Sequence, residues 1–195
     1  MKPKLLGFIL LLLLLGAGAW WLLAPPENNA KYPGMGGDFT LQSAQGPVSL
    51  HQFRGQVVLL YFGYTSCPDV CPASLGALAS ALKQTSPEER AQLQPLFISV
   101  DPERDSLEKL AQYAAYFYPG MLGLTGQPEY LKQLAQRYGA YFRKAPVENS
   151  ALGYAVDHSA TIFIVDKNGQ LADMIHNSHS PRQILKQLRA ALQRP

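Results

Sequence analysis

Leu5 to Ala24 read LLGFILLLLLLGAGAWWLLA, twenty residues without a charge, and no other feature constrains the chain as much. At ~1.5 Å per residue such a run makes a helix about 30 Å long, enough to cross the hydrocarbon layer of a bilayer. The chain is therefore expected to divide into a membrane-spanning stretch and a domain lying wholly to one side. Lys2 and Lys4 precede the run. Cationic flanks stay in the cytoplasm, which sends the remainder across, to the periplasmic side of the inner membrane in a bacterium. Trp20 and Trp21 suit the outer interface, and together with the length of the run they favour a retained single-pass anchor. A cleaved signal peptide is the competing reading, with Leu5 to Leu15 as its apolar region and Ala17-Gly18-Ala19 as its cleavage pattern. Both readings export the domain. Residues 1–24 are thus anchor or signal, 25–37, opening on Pro25-Pro26, a linker, and 38–195 one folded domain.

Charge narrows the classes open to that domain. Beyond Lys4 the chain carries fifteen Lys and Arg against fourteen Asp and Glu, a near balance that argues against nucleic acid as a partner. Gly and Pro make up 31 of 195 residues, below the ~25% typical of disordered chains, so a packed core is expected.

The apolar pattern alternates between short strand-like runs and longer helical ones, as in an α/β domain. Asp38 to Gln42 and Val48 to Leu50 read as a small hairpin, and Val57 to Gly63 (VVLLYFG) as a strand buried on both faces. Val70 to Gln84 reads as a helix, Pro95 to Val100 as the next buried strand, and Ser106 to Phe117 as a second helix. Leu122 to Leu124 is a short strand, and Pro128 opens a helix that Gly139 ends. Thr161 to Val165 and Gln170 to Ile175 flank Asp166-Lys167-Asn168-Gly169, a strong hairpin signal. Pro181 to Gln193 forms a closing amphipathic helix with Ile184, Leu185 and Leu188 on one face. This layout resembles a thioredoxin-like fold.

The two cysteines, Cys67 and Cys71, fall where the first buried strand meets its helix, in Tyr64-Thr65-Ser66-Cys67-Pro68-Asp69-Val70-Cys71-Pro72. Sites in open α/β sheets gather at the carboxyl ends of strands. A helix N-terminus lowers a thiol's pKa, and the thiolate is the form that binds metal. Residues four apart face one point, so the two sulfurs can act together. Two thiolates are too few for a closed zinc site, whereas soft sulfur with one added imidazole suits Cu(I), which accepts low coordination. Among His51, His158, His176 and His179, the candidate is His158, placed in the loop just before the Thr161 strand. Asp157 is a candidate to orient that imidazole or to cap its turn. Asp69 is a candidate to steer metal entry or partner docking, or again a turn cap. Met35, Met121 and Met174 are scattered and form no methionine-rich metal box.

Tyr61 to Pro72, with Ile98 to Asp105, Gly123 to Gly126 and Val156 to Ser159, resembles the SCO/SenC family of copper-handling assembly proteins over roughly Phe39 to Leu188. The resemblance implies a thioredoxin-like domain that takes copper from a donor protein and binds it through Cys67, Cys71 and His158. It also implies that the protein helps build the binuclear copper centre of cytochrome c oxidase subunit II without being an enzyme. On that reading the dithiol is also a redox switch, holding copper when reduced and unable to when Cys67 and Cys71 form a disulfide. A thiol-disulfide oxidoreductase that reduces the acceptor's cysteines is the alternative, although three residues rather than two separate the thiols. The resemblance assigns nothing to His176 or His179, which read as solvated residues of a strand end and a loop.

Overall fold

The computed structural model describes residues 31–146, 153–176 and 180–194. The Leu5 to Ala24 run, residues 25–30 of the linker and His179 lie outside them. Among the described residues no helix is long and apolar enough to cross a membrane.

Among the described residues nine strands and five α-helices follow in chain order. A hairpin of β1 (Thr40–Ser43) and β2 (Gly46–Ser49) leads through a short 3-10 helix, Leu50–Phe53, into β3 (Val57–Gly63). Then come α1 (Val70–Lys83), a one-turn α2 (Pro87–Arg90), β4 (Leu93–Ser99), α3 (Leu107–Phe117), β5 (Leu122–Leu124) and α4 (Pro128–Tyr138). A second hairpin, β6 (Phe142–Pro146) and β7 (Tyr154–His158), precedes β8 (Thr161–Val165), β9 (Leu171–His176) and α5 (Pro181–Leu192).

Five of the strands build one sheet in the order β5-β4-β3-β8-β9. The pairs β3–β4 and β4–β5 are parallel and are joined by helical connections, as parallel neighbours must be. The pairs β3–β8 and β8–β9 are antiparallel, so β3 lies in the middle of a mixed sheet. All seven residues of β3 are buried, which is why its sequence runs apolar without alternation. The helices stop and start where their caps lie. Ser106 accepts the Lys109 N–H at the head of α3, Ser180 accepts the Gln183 N–H at the head of α5, and Gly139 ends α4 at φ 73°.

The α/β class and the elements expected from the pattern are present, but two further elements and one placement differ. The Ser86-Pro87-Glu88-Glu89 capping box makes the one-turn helix α2. Phe142–Pro146 and Tyr154–His158 pair as a separate antiparallel ribbon in which Phe142, Tyr154 and Val156 pack on the core, but Arg143, Lys144 and Asp157 break up the apolar positions, so no strand-like apolar run shows in the sequence. As a result His158 is not in a loop. It is the last residue of β7, opposite Phe142, and is fixed by strand register.

Candidate metal centre

β3 ends at Gly63, whose carbonyl accepts the Val100 N–H at 2.9 Å and so holds the carboxyl ends of β3 and β4 level. Tyr64 to Asp69 then turn the chain into α1, with the Cys67 N–H donating back to the Tyr64 carbonyl. Cys71 sits in the first turn of α1, fully buried, while Cys67 in the entering turn retains 9% exposure. From the opposite side β7 delivers His158. Its Nε2 lies 3.2 Å from Cys71 Sγ and 3.8 Å from Cys67 Sγ, and the three donor atoms lie within 4.8 Å of one another.

Aromatic rings wall in the imidazole. Tyr61 and Tyr64 meet it edge-on, with centroids at 6.1 and 5.8 Å and interplanar angles of 87° in both cases. On its far side Nδ1 lies 3.3 Å from the Ser159 carbonyl oxygen, which turns Nε2 toward the sulfurs when Nδ1 carries the proton.

The two thiols are electrostatically unequal. The Cys71 S–H donates to the Cys67 sulfur, and with His158 and the N–H groups of Cys71 and Asp69 it holds Cys67 well below the usual thiol range, against the opposing effect of burial. Cys71 is pushed far upward, first by its hydrogen bond to the Cys67 thiolate and then by burial. Of the two, Cys67 is the less enclosed and the one favoured as thiolate, and Cys71 the one favoured in its protonated form.

Gly63 makes room for the buried sulfur. A Cβ there would lie 2.7 Å from Cys71 Sγ and 3.0 Å from the Phe97 ring. A second support was not anticipated from the sequence. Asp105 is buried, and its carboxylate accepts the Thr65 N–H at 2.9 Å, the Thr65 hydroxyl, the Ser99 hydroxyl at 2.7 Å and the Lys109 ammonium at 3.2 Å. Asp101, also buried, accepts the Tyr154 hydroxyl at 2.7 Å and pairs with Arg104, whose guanidinium stacks on the Tyr154 ring at 3.8 Å and donates to the Tyr154 carbonyl. Asp105 thus braces the cysteine turn, and Asp101 with Arg104 pins the ribbon that carries His158. Two carboxylates directly after a buried strand, at the same sheet end as the cysteines, were the available signal.

Neither proposed helper carboxylate touches the imidazole. Asp157 precedes His158 in a strand, so its side chain points to the opposite face, where its carboxylate pairs with Arg143 at 3.0 Å. Asp69 occupies the N-cap position of α1 with its side chain exposed and making no cap hydrogen bond. His176 ends β9, its Nδ1 3.1 Å from the Thr161 hydroxyl, and does not join the cysteine group.

A dithiol and an imidazole converging at a strand-to-helix turn of this mixed sheet define a soft-metal site on a thioredoxin-like domain. The SCO1/SenC family model matches residues 27–193, and the chain belongs to that family. A bovine relative, the mitochondrial protein SCO2 homolog, is 41% identical over 155 residues, covering 78% of this chain and 58% of the bovine protein. The chain thus spans less than two thirds of that relative's length. The solution structure of apo Sco1 from Thermus thermophilus is 40% identical with a TM-score of 0.73, covering 83% of this chain and 94% of that one. The crystal structure of Arabidopsis thaliana ScoI, which holds bound copper, is 32% identical with a TM-score of 0.73, covering 82% and 98%.

Proposed function

We propose that the protein is a membrane-anchored copper carrier. Copper is its cargo, taken from a donor protein, held by Cys67, Cys71 and His158, and passed to the binuclear centre of cytochrome c oxidase subunit II or another copper acceptor. The observation that carries this reading is the donor set: two sulfurs and one imidazole nitrogen within 4.8 Å, with no carboxylate or further imidazole in the group among the described residues. Three soft donors with one partly open side suit Cu(I) and disfavour a closed four-ligand zinc site. The open side at Cys67 lets an incoming thiolate or imidazole bind copper before the first ligand leaves, so transfer proceeds by exchange rather than by release into water. Membership of a family with copper-bound members supports the same reading.

The anchor reading follows from Leu5 to Ala24, with residues 25–37 as linker and the domain on the periplasmic face of the bacterial inner membrane. A disulfide-bearing protein oxidises the pair by taking two electrons and the one proton that Cys71 carries, leaving as a thiolate and a thiol, and the Cys67–Cys71 bond so formed removes both sulfur ligands and with them the copper site. Metal analysis of the reduced full-length protein tests the proposal. One copper per chain is expected, lost in a Cys67→Ser/Cys71→Ser double variant and at least about tenfold weaker in His158→Ala, as the loss of one of three ligands implies. Full copper retention by the double variant overturns it.

A second reading, a thiol-disulfide oxidoreductase, is favoured by the inequality of the thiols. The Cys67 thiolate would attack an acceptor disulfide, and Cys71 would then release the reduced acceptor by closing a Cys67–Cys71 bond. Disulfide exchange that persists undiminished in His158→Ala, in a protein that retains no copper, would select this reading over the first.

A further inference from the structure

Ser180 to Arg194 contains Arg182, Lys186, Arg189 and Arg194 and no carboxylate, while the rest of the chain beyond Lys4 has eleven cations against fourteen carboxylates. The near neutrality of the domain therefore conceals a polar distribution, with positive charge gathered on its last helix. Ile184, Leu188 and Ala191 are buried, which turns Arg182, Lys186 and Arg189 outward along one exposed stripe at helical spacing. Arg189 is engaged by Glu89 of α2 at 2.8 and 3.2 Å. Arg182 and Lys186 make no ion pair among the described residues.

The position of this helix relative to the tether gives the stripe its meaning. The first described residue, Lys31, donates to Asp173 of β9 at 2.7 Å, and Tyr32 reaches the same carboxylate. Arg194, just past α5, donates to the carbonyl of the neighbouring residue Ala172 at 2.9 Å. The chain thus enters the domain at the edge strand on which α5 ends. Seven residue steps separate Ala24 from Lys31, a reach of at most about 25 Å even fully extended.

We infer that the exposed face of α5 docks on the anionic phospholipid headgroups of the membrane in which the chain is anchored. The inference rests on the anchor reading given above. Arg182 and Lys186 supply uncommitted positive charge to a negative surface, and half-buried Leu185 between them supplies an apolar contact at headgroup level. Docking fixes the orientation of the copper site. Cys71 lies in the first turn of α1, which packs beside α5, so a domain held on α5 holds its cysteine turn at a fixed attitude to the membrane.

The test places the full-length protein in nanodiscs of phosphatidylcholine, with or without phosphatidylglycerol, doped with a lipid whose headgroup chelates gadolinium. Paramagnetic broadening of backbone amide signals is then read along the domain. Broadening centred on Arg182, Lys186 and Arg189 is expected in the anionic discs, fading as salt rises and reduced at least about fivefold in Arg182→Gln/Lys186→Gln, as expected when two surface cations are removed from an anionic interface. Equal broadening in neutral and anionic discs, or broadening that peaks elsewhere, overturns the docking, including the case in which α5 meets an acidic protein instead. Alkaline carbonate extraction of the full chain separates the two readings. Extraction overturns both the anchor and the docking built on it, whereas a chain that resists extraction without α5 broadening overturns the docking alone.

Discussion

Cys71 Sγ and His158 Nε2 stand 3.2 Å apart although 87 positions separate them in the sequence. The contact spans two separately built units, the central sheet with its first helix and the β6–β7 ribbon beside it. The affinity of the site therefore depends on how firmly each unit is held as well as on the three donors, and the side chains that hold them are the ones worth changing.

Gly63 is the most direct case. A methyl group there would meet Cys71 Sγ at 2.7 Å, with the Phe97 and Tyr61 rings closing the other directions at 3.0 and 3.1 Å. Gly63→Ala is expected to displace the buried sulfur and lower copper affinity at least about tenfold while costing about 1–3 kcal/mol of stability, the usual range for overpacking. Competition for Cu(I) against a colorimetric chelator, paired with urea unfolding, reads both numbers.

Asp105 braces the other end of the cysteine turn. Removing its carboxylate strands the Thr65 N–H and the Ser99 hydroxyl inside the protein, and each orphaned donor costs about 1–3 kcal/mol. Asp105→Ala is expected to lose about 3 kcal/mol in urea unfolding. Asp105→Asn, which keeps an acceptor oxygen, should lose less. Thermal melts of the same pair should keep that order.

How much of this was legible beforehand depended on the kind of signal. β3 announced itself because a strand buried on both faces must be apolar throughout, and Val57–Gly63 is. The cysteine turn was legible from its place between that strand and α1. The β6–β7 ribbon was not, since Arg143, Lys144 and Asp157 interrupt the few apolar residues, Phe142, Tyr154 and Val156, that it turns toward the core. Asp157 was open to two readings, orienting the imidazole or capping its turn, and its carboxylate pairs instead with Arg143. Adjacent residues look like neighbours in sequence, but a strand turns them to opposite faces. Asp101 and Asp105 read from the sequence as a capped loop-to-helix turn, and their burial was not legible because a carboxylate in a Pro-containing turn looks solvated until the fold encloses it.

The inequality of the thiols predicts a pH dependence of the metal-free protein. A depressed thiol stays ionised below the pH at which a free cysteine would be protonated, so Cys67 should react with iodoacetamide well into the acidic range while Cys71 resists even in alkali. Because His158 contributes to the depression after Cys71, His158→Ala should move the Cys67 reactivity midpoint upward, and Cys71→Ser, which replaces the main donor, should also shift it. Mass spectrometry of alkylated peptides across pH separates the two sulfurs.

Asp157 supplies the control. Its carboxylate faces solvent and Arg143, away from the sulfurs. Asp157→Asn is expected to leave Cu(I) affinity within about twofold of the parent, as exposed ion pairs contribute little. A tenfold loss in the same chelator competition would mean that the carboxylate reaches the imidazole in the metal-bound protein.

Tyr154 tests whether the ribbon is a rigid arm. Its hydroxyl donates to buried Asp101 at 2.7 Å, its carbonyl accepts from Arg104 at 2.8 Å, and its ring lies against the Arg104 guanidinium at 3.8 Å. These contacts sit at the start of β7, four residues before His158, and set the height at which the imidazole meets the sulfurs. Tyr154→Ala removes the ring and hydroxyl but keeps the carbonyl, so the arm should loosen without unfolding. Copper affinity is then expected to fall about three- to tenfold, the lower part of the range seen when groups supporting a ligand are lost. Tyr154→Phe keeps the stacking and should fall in between. If the arm is held by register with β6 alone, both variants will bind copper as the parent does, and amide exchange along β7 will be unchanged.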